Sequence, residues 1–237
     1  LHYPLRRQRQ MCIRDRVDGK PVRKREETVI LAYNKPLGLT CTASHDDPDN
    51  IFDHIKYPIR LQYVGRLDKD SQGLLLLTND GDLSNSIQKS VNNHEKEYRV
   101  RVNKPITDEF LTQMAAGVPI LDTVTKKCRL YKIDNYSFKI IITQGLNRQI
   151  RRMCEYFGYK VVNLKRLRVI NIRLGNLRPG EYRHLTKEEE TELRRLVERK
   201  EEVKTKREEA QPDNKNEQNV VGNKRYVSWK RETGSKN

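Results

Sequence analysis

Apolar residues occur in short blocks separated by polar turns through the middle of the chain. Continuous apolar blocks of four to eight residues predict buried strands, and strict alternation predicts a half-buried strand. By this pattern, Tyr98 shares one face with Val100 and Val102. The predicted strands cover residues 28–33, 61–64, 73–78, 98–102, 139–143 and 161–174, the last range holding one or two strands.

Capping residues and helical spacing predict four helices between these strands. A Thr-x-x-Glu capping box at Thr186 and Glu189 begins the last of them. The other three are a short helix capped by Asp82 and ending near Lys89, a helix from Thr107 to Gly117, and a helix capped by Asn147 and closed by Gly158. Because helices and strands are mixed irregularly, we expect an α+β fold.

The two ends of the chain differ in composition from the middle. Residues 1–16 have no periodicity, and two interpretations stay open: foreign sequence fused before a truncated gene, or a genuine disordered basic arm. Residues 17–27 form a charged linker, 28–197 the folded domain, and 198–237 a charged, disordered tail. No apolar run is long enough for a membrane span, and no secretory signal is visible.

Charge indicates the class of partner. The net charge is +16, and residues 17–197 still carry +9 when both ends are set aside. A domain this basic usually binds nucleic acid, although charge can also serve solubility alone. The four cysteines lack disulfide or zinc-site spacing. We therefore expect a cytoplasmic protein.

Two carboxylates stand in a polar loop between two apolar strands. The loop is GRLDKDSQG, and it contains Asp68 and Asp70. A carboxylate at a strand end is well positioned for a rigid site. The alternative for each is a structural carboxylate that accepts hydrogen bonds from backbone amides. Tyr98 has two interpretations as well, an active-site aromatic residue or an ordinary core tyrosine.

The helix after Asn147 carries three arginines with different orientations. Arg151 lies at the edge of the apolar stripe, where it needs a buried anion, whereas Arg148 and Arg152 point outward and suit phosphates or simply solvent. The apolar stripe consists of Ile150, Met153, Cys154 and Phe157.

These stretches resemble the signature motifs of the RsuA/RluB/RluE/RluF family of ribosomal RNA pseudouridine synthases. The motifs are NKPLG at 34–38, GRLDKDSQGLLLLTNDGDL at 65–83, KEY at 96–98 and GLNRQIRRMCEYFGY at 145–159. Together with AGVPILDTVTKKC at 116–128, the last is most similar to the RluF-type branch. The resemblance covers about residues 28–197. We expect the S4-type RNA-binding domain that precedes this core in the family to be largely missing, with residues 17–27 as a linker or a remnant of that domain.

The resemblance implies a fold and a set of roles. The fold is a mixed, mostly antiparallel sheet flanked by helices, with the active-site cleft across it. Asp68 is the expected catalytic aspartate, Tyr98 the tyrosine that stacks on the target base, and Arg151 the arginine that pairs with Asp68. Arg66 would help fill the gap left by the flipped base. Substrate binding is expected from Arg66, Lys35, Lys96, Arg148 and Arg152.

The resemblance also implies a reaction without metal or cofactor, the isomerisation of a uridine to pseudouridine. The expected partners are 23S ribosomal RNA or the precursor of the large subunit, with transfer RNA as a further substrate; no membrane is involved, and the protein is a monomer. Basic residues around 148–152 and 160–173 would bind phosphates. Two rival functions remain: a non-catalytic RNA-binding or ribosome-assembly module, and a hydrolase in which Asp68 and Asp70 bind Mg²⁺.

Overall fold

A computed structural model describes residues 16–17, 20–21, 27–44, 46–89 and 93–209. Its helices are α1 (Ile51–His54), α2 (Gly81–Gln88), α3 (Asp108–Ala116), α4 (Gln149–Tyr156) and α5 (Lys187–Glu209). Its strands are β1 (Arg16–Val17), β2 (Lys20–Pro21), β3 (Ile30–Lys35), β4 (Gln62–Val64), β5 (Gln72–Thr78), β6 (Lys96–Val102), β7 (Pro119–Ile120), β8 (Thr123–Val124), β9 (Arg129–Asp134), β10 (Ser137–Ile142), β11 (Val161–Val169), β12 (Ile172–Arg173) and β13 (Tyr182–His184).

Nine of the described strands form one sheet. Its order is β13-β3-β5-β11-β6-β10-β9, with β4 paired to β5 and β12 paired to β11. The pair β5–β11 is parallel, and the other pairs in this sheet are antiparallel. The expected α+β fold with a mixed, mostly antiparallel sheet is therefore confirmed.

Helices cover the sheet on both sides, but not equally. On one face, α1, α3 and α4 pack their apolar residues against β3, β5, β6, β10 and β11 in a large core. On the other face, α2 and α5 pack through Leu83, Ile87, Leu193 and Val197 against β3 and β5. Alternation along β5 explains the two layers, because Leu75 and Leu77 enter the first core and Leu74 and Leu76 the second.

Two predicted caps are wrong by one or two residues. Asp80, not Asp82, caps α2, because the Asp80 side chain accepts a hydrogen bond from the Leu83 amide at 2.9 Å. Arg148, not Asn147, is the cap residue of α4; it has a left-handed backbone and no side-chain cap bond. The capping box of α5 is confirmed by reciprocal hydrogen bonds between Thr186 and Glu189 of 3.1 and 3.2 Å.

The ends of the chain fall partly outside the described residues. The proposed arm at 1–16 is described only at Arg16, which pairs with Pro21 across β1 and β2. The predicted tail begins at 198, yet α5 continues to Glu209, since the alternating Lys and Glu there are good helix formers. Residues 210–237 lie outside the described part. No described helix is long and apolar enough to cross a membrane.

Candidate active site

A cleft of about 470 Å³ lies between the end of α2 and the segment leading into α4. The loop between β4 and β5, the start of β6 and part of β11 form its other walls. Five of the predicted site residues line this cleft, from three different segments of the chain: Arg66, Asp68, Lys96, Tyr98 and Arg148. The structure thus brings together residues 80 positions apart in the sequence.

Close packing of strands fixes the loop that carries Asp68. Gly73 lies opposite Arg166 in the β5–β11 ladder with a φ of +106°. A Cβ atom at Gly73 would lie 2.3 Å from the Arg166 carbonyl oxygen. Only glycine permits this approach, which sets where the loop joins the sheet. Within the loop, the Ser71 amide donates to the Asp68 carbonyl at 3.0 Å.

The two carboxylates of the loop have different partners. Asp70 accepts two hydrogen bonds from the Arg148 guanidinium, at 3.0 and 3.1 Å. Asp68 is about one-third exposed, and its nearest charged partner is Arg148 at 3.7 Å. The more exposed of the two aspartates is therefore the more tightly held.

Arg151 pairs with Asp70, and the expected pairing with Asp68 is wrong. Nη2 of the buried Arg151 donates to the Asp70 carbonyl oxygen at 2.6 Å and lies 3.3 Å from the Asp70 carboxylate. It also reaches the Ser71 hydroxyl at 3.2 Å. The prediction that Arg151 needs a buried anion is met only in part, because its carboxylate partner Asp70 is about half exposed. The turn after Asp68 directs Asp70 toward α4. Arg151 consequently holds the loop from behind.

The two arginines determine the charge of Asp70. Burial by itself would raise the pKa of Asp70, but hydrogen bonds from Arg148 and the charges of Arg151 and Arg148 outweigh it. The pKa therefore lies below its usual value of 3.8. Asp70 is therefore ionised at neutral pH.

Lys35 lies beneath the loop and not in the cleft. It is fully buried, and its ammonium donates to the carbonyl oxygens of Ser71 and Pro36 at 2.8 and 2.9 Å. Burial lowers the pKa of Lys35, while the neighbouring Cys41, Asp68 and Asp70 oppose this effect. The expectation that Lys35 contacts RNA is therefore wrong for this structure, because its side chain has no access to solvent.

Tyr98 is buried in β6 and faces the cleft. It lies opposite Arg166 of β11 and Ile140 of β10 in the ladders. Directly opposite residues on neighbouring strands point to the same side of a sheet. Tyr98 and Arg166 thus share the side of the sheet that carries the cleft.

Arg166 is a site residue that the sequence analysis did not single out. It is almost fully buried, lines the cleft, and donates to the carbonyl oxygens of Leu74 at 2.6 Å and Arg66 at 3.4 Å. These bonds tie β11 to both ends of the loop that carries Asp68. Alternation gave no signal for Arg166, because the register of β11 against β6 shifts between Arg166 and Arg168.

The remaining predicted residues lie at or near the rim. Arg66 is exposed and lines the cleft, as does the half-buried Lys96. Arg152 is not part of the lining and instead donates to the Asn147 carbonyl oxygen at 3.2 Å. Arg148, expected to point outward, turns toward the loop and holds Asp70. Among the described residues, no three metal-ligating side chains cluster together.

Comparison with known proteins identifies the family of this chain. Residues 29–156 match the family model for RNA pseudouridylate synthase. The chain belongs to this family. A solved structure entitled "Crystal structure of pseudouridylate synthase" superposes with a TM-score of 0.66 at 35% identity, covering 72% of this chain and 74% of that one.

Curated relatives carry a more specific name. A protein of Escherichia coli O6:H1 named dual-specificity RNA pseudouridine synthase RluF is 48% identical over 223 residues, which cover 93% of this chain and 75% of that protein. The Salmonella typhi protein of the same name is 52% identical over 185 residues, covering 77% of this chain and 64% of its own length. The chain therefore spans between about two thirds and three quarters of these relatives.

Proposed function

We propose that the protein converts a uridine of large-subunit 23S ribosomal RNA into pseudouridine, and accepts a uridine of transfer RNA as a second substrate. Family membership supports the reaction, and the relatives named dual-specificity RNA pseudouridine synthase support two RNA substrates. The observation that carries the proposal is that Asp68 and Tyr98 line one cleft, with the Asp68 loop braced from three directions.

The reaction rearranges one nucleoside without a second reactant. The bond from N1 of uracil to C1′ breaks, the base rotates, C5 bonds to C1′, and the C5 proton is finally replaced by a proton on N1. Such chemistry requires a flipped base held in a pocket. A cleft of about 470 Å³ has room for one nucleotide.

Asp68 is the proposed catalytic residue. An ionised carboxylate can attack C1′ or remove the 2′ proton, and both routes demand an anion beside the ribose. Arg148 lies 3.7 Å away, and the buried Lys35 is within electrostatic reach. Both cations attract an anionic carboxylate and hold it in the cleft.

Tyr98 and Arg66 complete the proposed site. The Tyr98 ring provides a flat surface on which uracil can stack, and its phenol oxygen can take up the proton that leaves C5. The exposed Arg66 stands at the rim beside Asp68, where it can occupy the gap that base flipping leaves. Lys96 and Arg148 line the cleft, and their positive charge would attract the phosphates on either side of the flipped nucleotide.

Mapping of pseudouridine tests the proposal. Unmodified large-subunit RNA is incubated with the protein, labelled with a carbodiimide and reverse-transcribed, and we expect a discrete stop at one uridine. Asp68→Asn should abolish this stop, a loss of at least about 10³-fold in rate. The matched control is Asp122→Asn, because Asp122 is exposed with a φ of +58°, a conformation that asparagine tolerates well.

Each rival function predicts a different outcome. A non-catalytic RNA-binding module would bind the RNA and leave no stop with any variant. A hydrolase dependent on Mg²⁺ would shorten the RNA and stop working in excess EDTA, whereas we expect pseudouridine formation to persist there. Modification that survives Asp68→Asn unchanged would contradict the assignment of Asp68.

A further inference from the structure

Strand β6 carries a second set of side chains on the face of the sheet opposite the cleft. Tyr98 and Val100 lie on the cleft side and are buried. Arg99 and Arg101 therefore emerge on the reverse side, where both are exposed. The same strand thus presents an aromatic residue to the cleft and two arginines to solvent behind it.

The strand register extends these arginines into a row across four strands. Arg99 lies directly opposite Lys165 of β11 on one side and Lys139 of β10 on the other. Lys139 in turn lies opposite Tyr131 of β9. Neighbouring strands are about 4.8 Å apart, so these four side chains form a continuous band. We refer to Arg99, Arg101, Tyr131, Lys139 and Lys165 as the back patch.

The apolar cover that α2 and α5 provide on this side of the sheet is centred on β3 and β5, and it includes no apolar residue of β6, β9 or β10. Tyr131 is 50% exposed, and Lys139 and Lys165 are half-buried. The band is open to a partner.

The back patch carries more positive charge than its acidic neighbours offset. Lys139 lies 3.2 Å from Glu97, and Asp134 interacts with Arg101 and Arg99 at longer range. Within the described residues, Arg99, Arg101 and Lys165 have no carboxylate within 4.0 Å. Like charges directly opposite each other destabilise a sheet. A bound polyanion would relieve this repulsion.

We propose that the back patch binds a second segment of the RNA whose uridine enters the cleft. Arg99, Arg101 and Lys165 would contact phosphates, and the exposed ring of Tyr131 would stack on a base. Cationic side chains interleaved with an exposed aromatic residue on an open sheet face suit single-stranded RNA, since bases stack on the ring while the strand backbone follows the charges. The inference rests on the proposed function for the identity of the ligand.

Binding measurements with two RNA probes test the inference. One probe is a short hairpin, and the other is the same hairpin within a longer single-stranded fragment of large-subunit RNA. The patch variant is Arg99→Gln with Arg101→Gln and Lys165→Gln. The control variant removes the same charge elsewhere, through Lys56→Gln, Arg60→Gln and Lys187→Gln, three exposed positions outside the patch.

For the long probe at low salt, we expect the patch variant to lose about tenfold or more in affinity relative to the control variant. The slope of log affinity against log salt should fall by about 2, since each contacted phosphate contributes roughly 0.7–0.9. Tyr131→Ala should weaken the same probe about tenfold with an unchanged salt slope. The patch variant and the control variant should bind the short hairpin with equal affinity. Both should keep the parent rate of pseudouridine formation at saturating RNA.

Equal behaviour of patch and control variants on the long probe would overturn the inference, and so would an equal loss on both probes. Melting curves for all variants should coincide, because the replaced side chains are exposed or half-buried at the surface. Binding is measured without turnover, so the two proposals can fail separately. If binding depended on the back patch but no pseudouridine formed, the proposed function would be rejected and RNA binding by the back patch would still be supported.

Discussion

Two neighbouring carboxylates, Asp68 and Asp70, have different roles because their surroundings differ. Asp70 is held by the guanidinium groups of Arg148 and Arg151, while Asp68 keeps a carboxylate one-third exposed in the cleft. A carboxylate saturated by two arginines is poorly suited to react, because its lone pairs are already committed. Asp70 is therefore best understood as the residue that positions the loop, which frees Asp68 for substrate.

The lowered pKa of Asp70 gives this role a pH signature. The folded-state pKa lies below the unfolded one, so the stabilisation is complete at neutral pH and is lost as the pH falls below 3.8 through the folded-state pKa. Asp70→Asn should lower the free energy of unfolding by about 1 kcal/mol at pH 7, a modest value because the pair is half exposed. The difference in the free energy of unfolding between the parent protein and Asp70→Asn should shrink as the pH is lowered.

Urea denaturation of both proteins between pH 7 and 3 checks this prediction, with Asp122→Asn as the control. A gap that stayed constant over this range would show that the Asp70 charge contributes nothing. Rate constants for pseudouridine formation from the same samples should also fall for Asp70→Asn, since Arg148 would keep at most one of its two hydrogen bonds to the loop.

At the scale of elements, the β5–β11 pair determines where the loop stands. Gly73→Ala would place a methyl group 2.3 Å from the Arg166 carbonyl oxygen and would force an alanine to a φ of +106°. We expect a loss of about 3 kcal/mol in the free energy of unfolding, together with a large loss of activity. Gly81→Ala is the matched control, because the nearest atom to its added Cβ lies 3.5 Å away at the start of a helix.

Chemical denaturation and single-turnover kinetics measure the two losses. A Gly73→Ala protein as stable as the Gly81→Ala protein would mean that the two strands are not in close contact in solution. Full stability with lost activity would instead indicate that β11 shifts and carries Arg166 away from the loop.

The elements that the sequence predicted are those with a strong local signal. The six apolar or alternating segments all correspond to strands, and Thr107, Gly117 and the capping box begin or end helices as expected. The edge strands β9 and β13 were not predicted, because most of their residues are exposed and their apolar pattern is weak. Their pairing is decided by partners distant in the sequence.

The candidate site was predictable in part of its residues but not in its pairings. The motifs identified Asp68, Tyr98 and Arg148, which do line one cleft. Whether Arg151 reaches Asp68 or Asp70 depends on the turn between them, and no periodicity describes such a turn. The burial of Lys35 and the bracing by Arg166 depend equally on how three strands meet.

At the scale of the whole molecule, positive charge is spread along the chain and is not confined to the residues that line the cleft. The charge of residues 17–197 is +9, and residues 210–237 add +3 through six basic and three acidic residues. Charges far from a reacting atom change how strongly RNA is bound, but not how fast the bound nucleotide reacts. Affinity and chemistry should therefore be separable by deletion.

Removal of residues 210–237 tests this separation while keeping α5 to Glu209. We expect the affinity for long RNA to fall several-fold at low salt and to approach the parent value as salt rises, because counterion release supplies the difference. The rate of pseudouridine formation at saturating RNA should remain within twofold of the parent. A full-length variant with Lys215, Lys224 and Lys230 replaced by glutamine removes the same charge and should reproduce the deletion. If the deletion lowered the saturating rate while the glutamine variant did not, the segment would act on the cleft through something other than its charge.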